Sequence, residues 1–247
     1  MQQSSVHLVI ARITLLLSLA VAGLRAQALP ARSRTAASPG LELVGRLSFP
    51  ERLIGDIWVH RSFAYLGTVS CGRGVQVADV SDPRNPLPLD PLLADPGSTY
   101  EDVMVIRADT AAFQGDLLAV GLQACQPNGA RGVQFFDVTD PRSPQRLGFF
   151  GTGAATGGVH ELHLVQRQGR VFALLAVPGS ELRGAGGDFR IVEATDPANP
   201  RQIADWGVQR DLGLTLAAAG RGASPSIITH SAWANQAGTI EIGRAHV

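Results

Sequence analysis

Between residues 41 and 206 the chain alternates short apolar runs with clusters of Gly, Pro, Asp, Ser and Asn. In one stretch the runs fall at 146–150, 161–165, 171–177 and 189–194, separated by turn-rich segments at 151–158, 168–169 and 184–187. The same order fits 41–47, 56–59, 64–69 and 75–80. Runs this short suit β-strands and fall below the usual helix length. The expected plan is all-β, with four antiparallel strands per unit.

The unit repeats. Val77-Ala78-Asp79-Val80-Ser81-Asp82-Pro83-Arg84-Asn85-Pro86 aligns with Phe135-Phe136-Asp137-Val138-Thr139-Asp140-Pro141-Arg142-Ser143-Pro144 and with Ile191-Val192-Glu193-Ala194-Thr195-Asp196-Pro197-Ala198-Asn199-Pro200. The Asp-Pro steps stand at 82, 140 and 196, intervals of 58 and 56 residues. Arg73-Gly74-Val75-Gln76 returns as Arg131-Gly132-Val133-Gln134. Four strands in a period of this length is the pattern of a β-propeller blade. Asp82, Asp140 and Asp196 are expected to accept backbone N–H bonds in tight turns. Pro83, Pro86, Pro141, Pro144, Pro197 and Pro200 would fix φ and end sheet pairing. The segment should end an outer strand and begin the crossing to the next blade. A calcium loop needs oxygens at alternating positions with Gly at the bend, and the segment supplies neither.

The stretch from Gly74 to Pro86 resembles the bacterial LVIVD repeat, an apolar strand followed by Asp-Val-Ser-Asp-Pro-x-x-Pro. The resemblance spans about 41–206 in three copies, with Glu193 and Ala194 replacing Asp and Val in the third. It implies a secreted or surface propeller and leaves the chemistry open.

An acidic residue precedes the second strand of each unit: Asp56, Asp102 and Glu161. On a propeller these positions form a ring, so the carboxylates would converge toward the central opening. They could hold a cation or polar ligand there, or each could cap a turn of the neighbouring blade. Capping is the preferred reading, because one structural role explains all three. His160 and His163 flank Glu161, yet residues three apart on a strand face opposite sides, so they should not share a metal. His230 aligns with His160 if Ser231 takes the acidic position, which would let those two meet across adjacent blades. The Gly72-Arg73-Gly74 and 184–187 clusters precede no helix and read as hairpin loops, not phosphate cradles.

Composition narrows the setting. The 21 basic residues are all Arg and are balanced by 21 acidic ones, with no basic stripe, which argues against nucleic-acid binding. The absence of Lys reads as the codon bias of a GC-rich genome. Residues 13–24 form an apolar core of about 12 residues ahead of small residues at Ala26 and Ala28. That is a signal-peptide pattern and is too short to span a bilayer. The expected organisation is a signal peptide over 1–28, a disordered lead-in over 29–40 and a partial propeller over 41–240. Residues 241–247 read as an in-frame translation of a common sequencing adapter, a non-native tail that cuts the fourth repeat in mid-blade. Cys71 and Cys125 are the only cysteines, and in an exported protein they are expected to pair.

No catalytic residue is assigned. The function expected is that of an exported, non-catalytic scaffold, secreted or at the cell surface. It would bind a protein or glycan partner through loops on one face, without a cofactor, a nucleic-acid partner or a transmembrane span after signal cleavage. The alternative is a hydrolase or lactonase-like propeller with a central divalent cation. Asp56, Asp102, Glu161, His160 and His230 would then be its ligands or bases.

Overall fold

The computed structural model describes residues 42–50, 52–93, 95–214, 227–235, 240–241 and 245–246. The expected signal peptide and lead-in lie outside the described residues, as does most of the expected tail. The first sheet contains β1 (Ile54–His60), β2 (Phe63–Thr68), β3 (Gln76–Asp79) and β4 (Leu87–Pro88), hydrogen-bonded in that order. The second contains β5 (Ser98–Thr99), β6 (Val103–Asp109), β7 (Gln114–Ala124), β8 (Gly132–Asp137) and β9 (Gln145–Gly151). Here β5 and β6 share one edge of β7. The third runs β10 (Glu161–Arg167), β11 (Arg170–Ala176), β12 (Phe189–Glu193) and β13 (Arg201–Trp206). A short helix, α1 (Val208–Leu212), follows. Then come β14 (Ile228–Thr229), paired with β17 (Ala245–His246), and β15 (Trp233–Ala234), paired with β16 (Ile240–Glu241). The architecture is all-β. Its sheets are built as successive propeller blades, and among the described residues they do not close into a ring.

Apolar burial on both faces of the second sheet explains the stacking. Leu118, Val120 and Leu122 of β7 pack with Tyr65, Val75 and Val77 of the first sheet. Leu117 and Ala119, on the opposite face, pack with Leu162, Leu164, Val171 and Leu175 of the third. Successive strand residues point to opposite faces, so a central strand buried on both reads as one unbroken apolar run. The β10–β11 hairpin turns through Gln168 and Gly169 at φ 51° and 71°. Two consecutive positive φ values match the right-handed twist of the paired strands.

Two expectations need correction. The first is the phase of the repeat. The run at 146–150 lies in β9, the last strand of the second sheet, and 202–206, which follows the third Asp-Pro step and was expected to open the incomplete fourth repeat, lies in β13, the last strand of the third. Each run expected to open a unit therefore closes the sheet before it. The described residues of 41–47 form no strand, and among the described residues no ladder partner lies beside them. Gly45 instead sits against the Pro83 carbonyl, as Gly148 of β9 sits against those of Pro197 and Ala198. The second correction concerns the Asp-Pro-x-x-Pro segment, which is a hairpin turn within one sheet. It joins β3 to β4, β8 to β9 and β12 to β13. Its Asp accepts the N–H two residues on, at 3.0 Å for Asp82–Arg84 and Asp140–Arg142 and 3.1 Å for Asp196–Ala198. In the third copy Glu193, in place of Asp, forms ion pairs with Arg170 and Arg201.

Cys71, beyond the end of β2, and Cys125, just after β7, form a disulfide with Cα atoms 5.9 Å apart. It joins the first sheet to the second across 54 residues of sequence. Closing a loop of that length restricts the unfolded chain by about 4 kcal/mol in the chain-entropy model. Replacing both cysteines with Ser should lower the unfolding free energy by about 2–4 kcal/mol. Urea titration of the oxidised protein and the double variant measures the difference.

Candidate functional site

Asp102 and Glu161 are placed by one recurring entry of the chain into β6 and β10, which with β1 are the inner strands of the three sheets. Before β6 the chain crosses the end of β2, where Tyr100 N–H donates to the Thr68 carbonyl at 2.7 Å. Before β10 it crosses β7, where Val159 N–H donates to the Leu122 carbonyl at 3.1 Å. A crossing this close leaves no space for a side chain beneath it. A Cβ on Gly67 would stand 2.1 Å from the Glu101 carbonyl oxygen, and one on Gly121 3.0 Å from that of Val159. The inner strands are irregular at the same point. The β1 register shifts between Ile54 and Asp56, and residues 100–102 separate β5 from β6. At these irregular starts Asp56, Glu101, Asp102 and Glu161 come to one cavity, with His160 and His230 beside Glu101 and Glu161.

The carboxylates link neighbouring sheets. Asp56 Oδ2 accepts the N–H of Val103 at 3.4 Å, and Asp102 Oδ2 accepts that of Leu162 in a short bond. In both cases the donor is the residue after the next acidic position and lies at the start of a strand, β6 or β10. The two carboxyls thus bond to the neighbouring sheet as the capping reading expected, but to a strand end and not to a turn. Glu161 differs, because its Oε1 lies 3.0 Å from His230 Nδ1. Burial pushes the Asp102 carboxyl up to about 8, and the hydrogen-bonded, like-charged Asp56 and the charge of Glu161 push the same way. The Leu162 N–H opposes them.

The histidines separate. His160 Nδ1 lies 2.9 Å from Glu101 Oε2, and its Nε2 lies 3.0 Å from His230 Nε2. The His160 and His230 rings meet edge to face, 4.5 Å between centroids. The hydrogen bond to Glu101 is the main cause raising the His160 pKa above the ordinary histidine range. His163 packs instead against Trp233, ring centroids 5.2 Å apart, and burial pushes its pKa down. His160 and His163 thus take different partners, while His160 and His230 meet. Glu101 was not among the residues picked out by sequence. It occupies the position before the acidic residue, the place of His160 and His230 in the later units, and comparing that column would have identified it.

A cavity of about 270 Å³ opens at the starts of the inner strands. Its lining combines Asp56, Glu101, Asp102 and Glu161 with Trp58, Met104, His163 and Trp233. Trp233 is 52% exposed at this site. Four carboxylate-bearing side chains beside two indoles suit a ligand with hydroxyl or amine donors and an apolar face. Of the sequence candidates, Asp56, Asp102 and Glu161 line the cavity, and His160 and His230 form a separate pair beside Glu101 and Glu161. Neither protein-family models nor curated proteins match the chain. Among the described residues no helix is long and apolar enough to cross a membrane.

Two tests follow from this geometry. Between the ordinary aspartate range and about pH 8, the native Asp102 holds a proton that the unfolded chain releases. Its contribution to stability is therefore fully present at acid pH and is lost as pH rises through about 8. Asp102→Asn should flatten that decline, as read from urea midpoints between pH 5 and 9. Gly67→Val should destabilise by about 1–3 kcal/mol, because backbone fills the space its side chain would need. Thermal unfolding of the variant checks this.

Proposed function

We propose that this chain is an exported LVIVD-type propeller protein and acts as a non-catalytic binding scaffold at or outside the cell surface. Its partner in this reading is a glycan, held at the cavity where the inner strands begin. The half-exposed indole of Trp233, set among four carboxylate-bearing side chains, carries the proposal. An indole face stacks on the C–H face of a sugar ring, while carboxylate oxygens accept from its hydroxyls. The cavity is near the lower end of the range for small-ligand sites, which suits one terminal sugar of a longer chain.

Two further observations support the reading. Asp56 and Asp102 already accept backbone N–H bonds between sheets, a structural use that does not need chemical turnover. The Cys71–Cys125 disulfide agrees with an oxidising compartment, as does the signal-like segment at 13–28.

The purified protein should bind a subset of neutral or amino-sugar oligosaccharides on a glycan microarray. Trp233→Ala should weaken that binding at least tenfold without changing the thermal midpoint. Capture of a protein partner with no glycan bound would overturn the choice of ligand. Turnover of ester, lactone or phosphate substrates that is lost in Glu161→Gln would overturn the non-catalytic reading.

A further inference from the structure

We propose that His160 and His230 form a binding site for one first-row divalent metal ion, of which zinc is the best-fitting example. The two Nε2 atoms would be the protein ligands, with Glu101 and Glu161 orienting the rings from behind. This site shares Glu101 and Glu161 with the cavity lining, but its metal-binding nitrogens lie outside that lining and do not depend on the glycan reading.

The inference rests on how four side chains share their hydrogen-bonding groups. Glu101 Oε2 lies 2.9 Å from Nδ1 of His160, and Glu161 Oε1 lies 3.0 Å from Nδ1 of His230. A carboxylate accepts, so each Nδ1 carries the proton, and in a neutral imidazole the other ring nitrogen then presents a lone pair. Those two lone-pair nitrogens lie 3.0 Å apart. Two acceptors at that distance repel unless a positive centre lies between them or one ring becomes a cation. Nitrogens bound to one tetrahedral zinc at ordinary Zn–N lengths stand about 3.3 Å apart, within a few tenths of an ångström of this spacing. A carboxylate behind each metal-binding imidazole is the usual means of fixing its tautomer and ring orientation.

The donor set also selects the class of metal. Imidazole nitrogen suits zinc, copper, nickel and iron, whereas calcium and magnesium require oxygen ligands. The ligand atoms of His160, Glu161 and His230 all lie within 4.8 Å of one another, so Glu161 stands close against the histidine pair, one ring of which it orients. Side-chain exposures of 21% for His160 and 32% for His230 leave room for water at the remaining coordination positions. Asp56 and Asp102 fall outside this set because their carboxylates accept N–H bonds between sheets.

The test is calorimetric titration of the chelator-treated full chain with zinc, and visible absorption with cobalt as a spectroscopic probe. The expected result is one equivalent of zinc and a four- or five-coordinate cobalt spectrum, with no response to calcium. His160→Gln and His230→Gln should each weaken zinc binding at least 100-fold. Glu101→Gln should weaken it by about 10- to 100-fold, as for other carboxylates behind a ligating histidine. His163→Ala should leave it unchanged, and circular dichroism checks that each variant is folded. The proposal is overturned if wild type takes up less than stoichiometric zinc, or if uptake persists in the double histidine variant. It is also overturned if a far-downfield ring N–H resonance shows a proton shared between the two imidazoles that excess zinc does not displace. Glycan binding with no zinc uptake would remove this inference alone, and zinc uptake with no glycan binding would remove only the glycan reading.

Discussion

Apolar packing between the faces of neighbouring sheets is the constraint on which the rest of the structure depends. A four-stranded sheet with two apolar faces is unstable alone in water and must be covered on both sides. The second sheet meets this demand, with β7 contributing one set of side chains to the cluster shared with β2 and β3 and the alternate set to the cluster shared with β10 and β11. Face-to-face stacking then fixes where each chain crossing must pass. The crossings before β6 and β10 run over glycine at 67 and 121, and that close approach sets the height at which Glu101, Asp102, His160 and Glu161 emerge. The polar end of the stack is thus a consequence of how its apolar faces fit together.

Polar groups at that end divide into two sets according to their place in the repeat. The acidic column supplies bonds from one sheet to the next, through Asp56 and Asp102. The column just before it supplies a line of side chains, Glu101, His160 and His230, that steps from the second sheet to the third and on to the segment beyond. Glu161 is the exception: it stands in the acidic column but faces His230, which joins the two sets.

Much of the fold was legible in the sequence, because strand runs, turn residues and a recurring Asp-Pro step are local signals. The phase of the repeat was not. A run such as 146–150 carries no mark showing whether it opens one sheet or closes another, since only hydrogen-bond partners decide that. The Asp-Pro-x-x-Pro segment was misplaced for the same reason: its Asx geometry serves a hairpin as well as a crossing. At the site, the pairing of His160 with His230 followed from aligning the repeats, and the separation of His163 from strand alternation. Glu101 carries no such local mark: it lies on the crossing over Gly67, as His160 lies near that over Gly121, and only the folded chain brings the two side chains together.

The joins between successive sheets share one kind of fastening and differ in what is added to it. A carboxyl-to-amide hydrogen bond recurs at the first two joins, Asp56 to Val103 and Asp102 to Leu162; the first adds a disulfide, the second the Glu101–His160 contact, and the third sheet meets the segment beyond through paired imidazoles. A thiol reductant acts on the first of these, alkali on the second and a change in imidazole charge on the third. One stack of similar sheets therefore has joints whose polar fastenings respond to different surroundings, while apolar packing between faces is common to all of them.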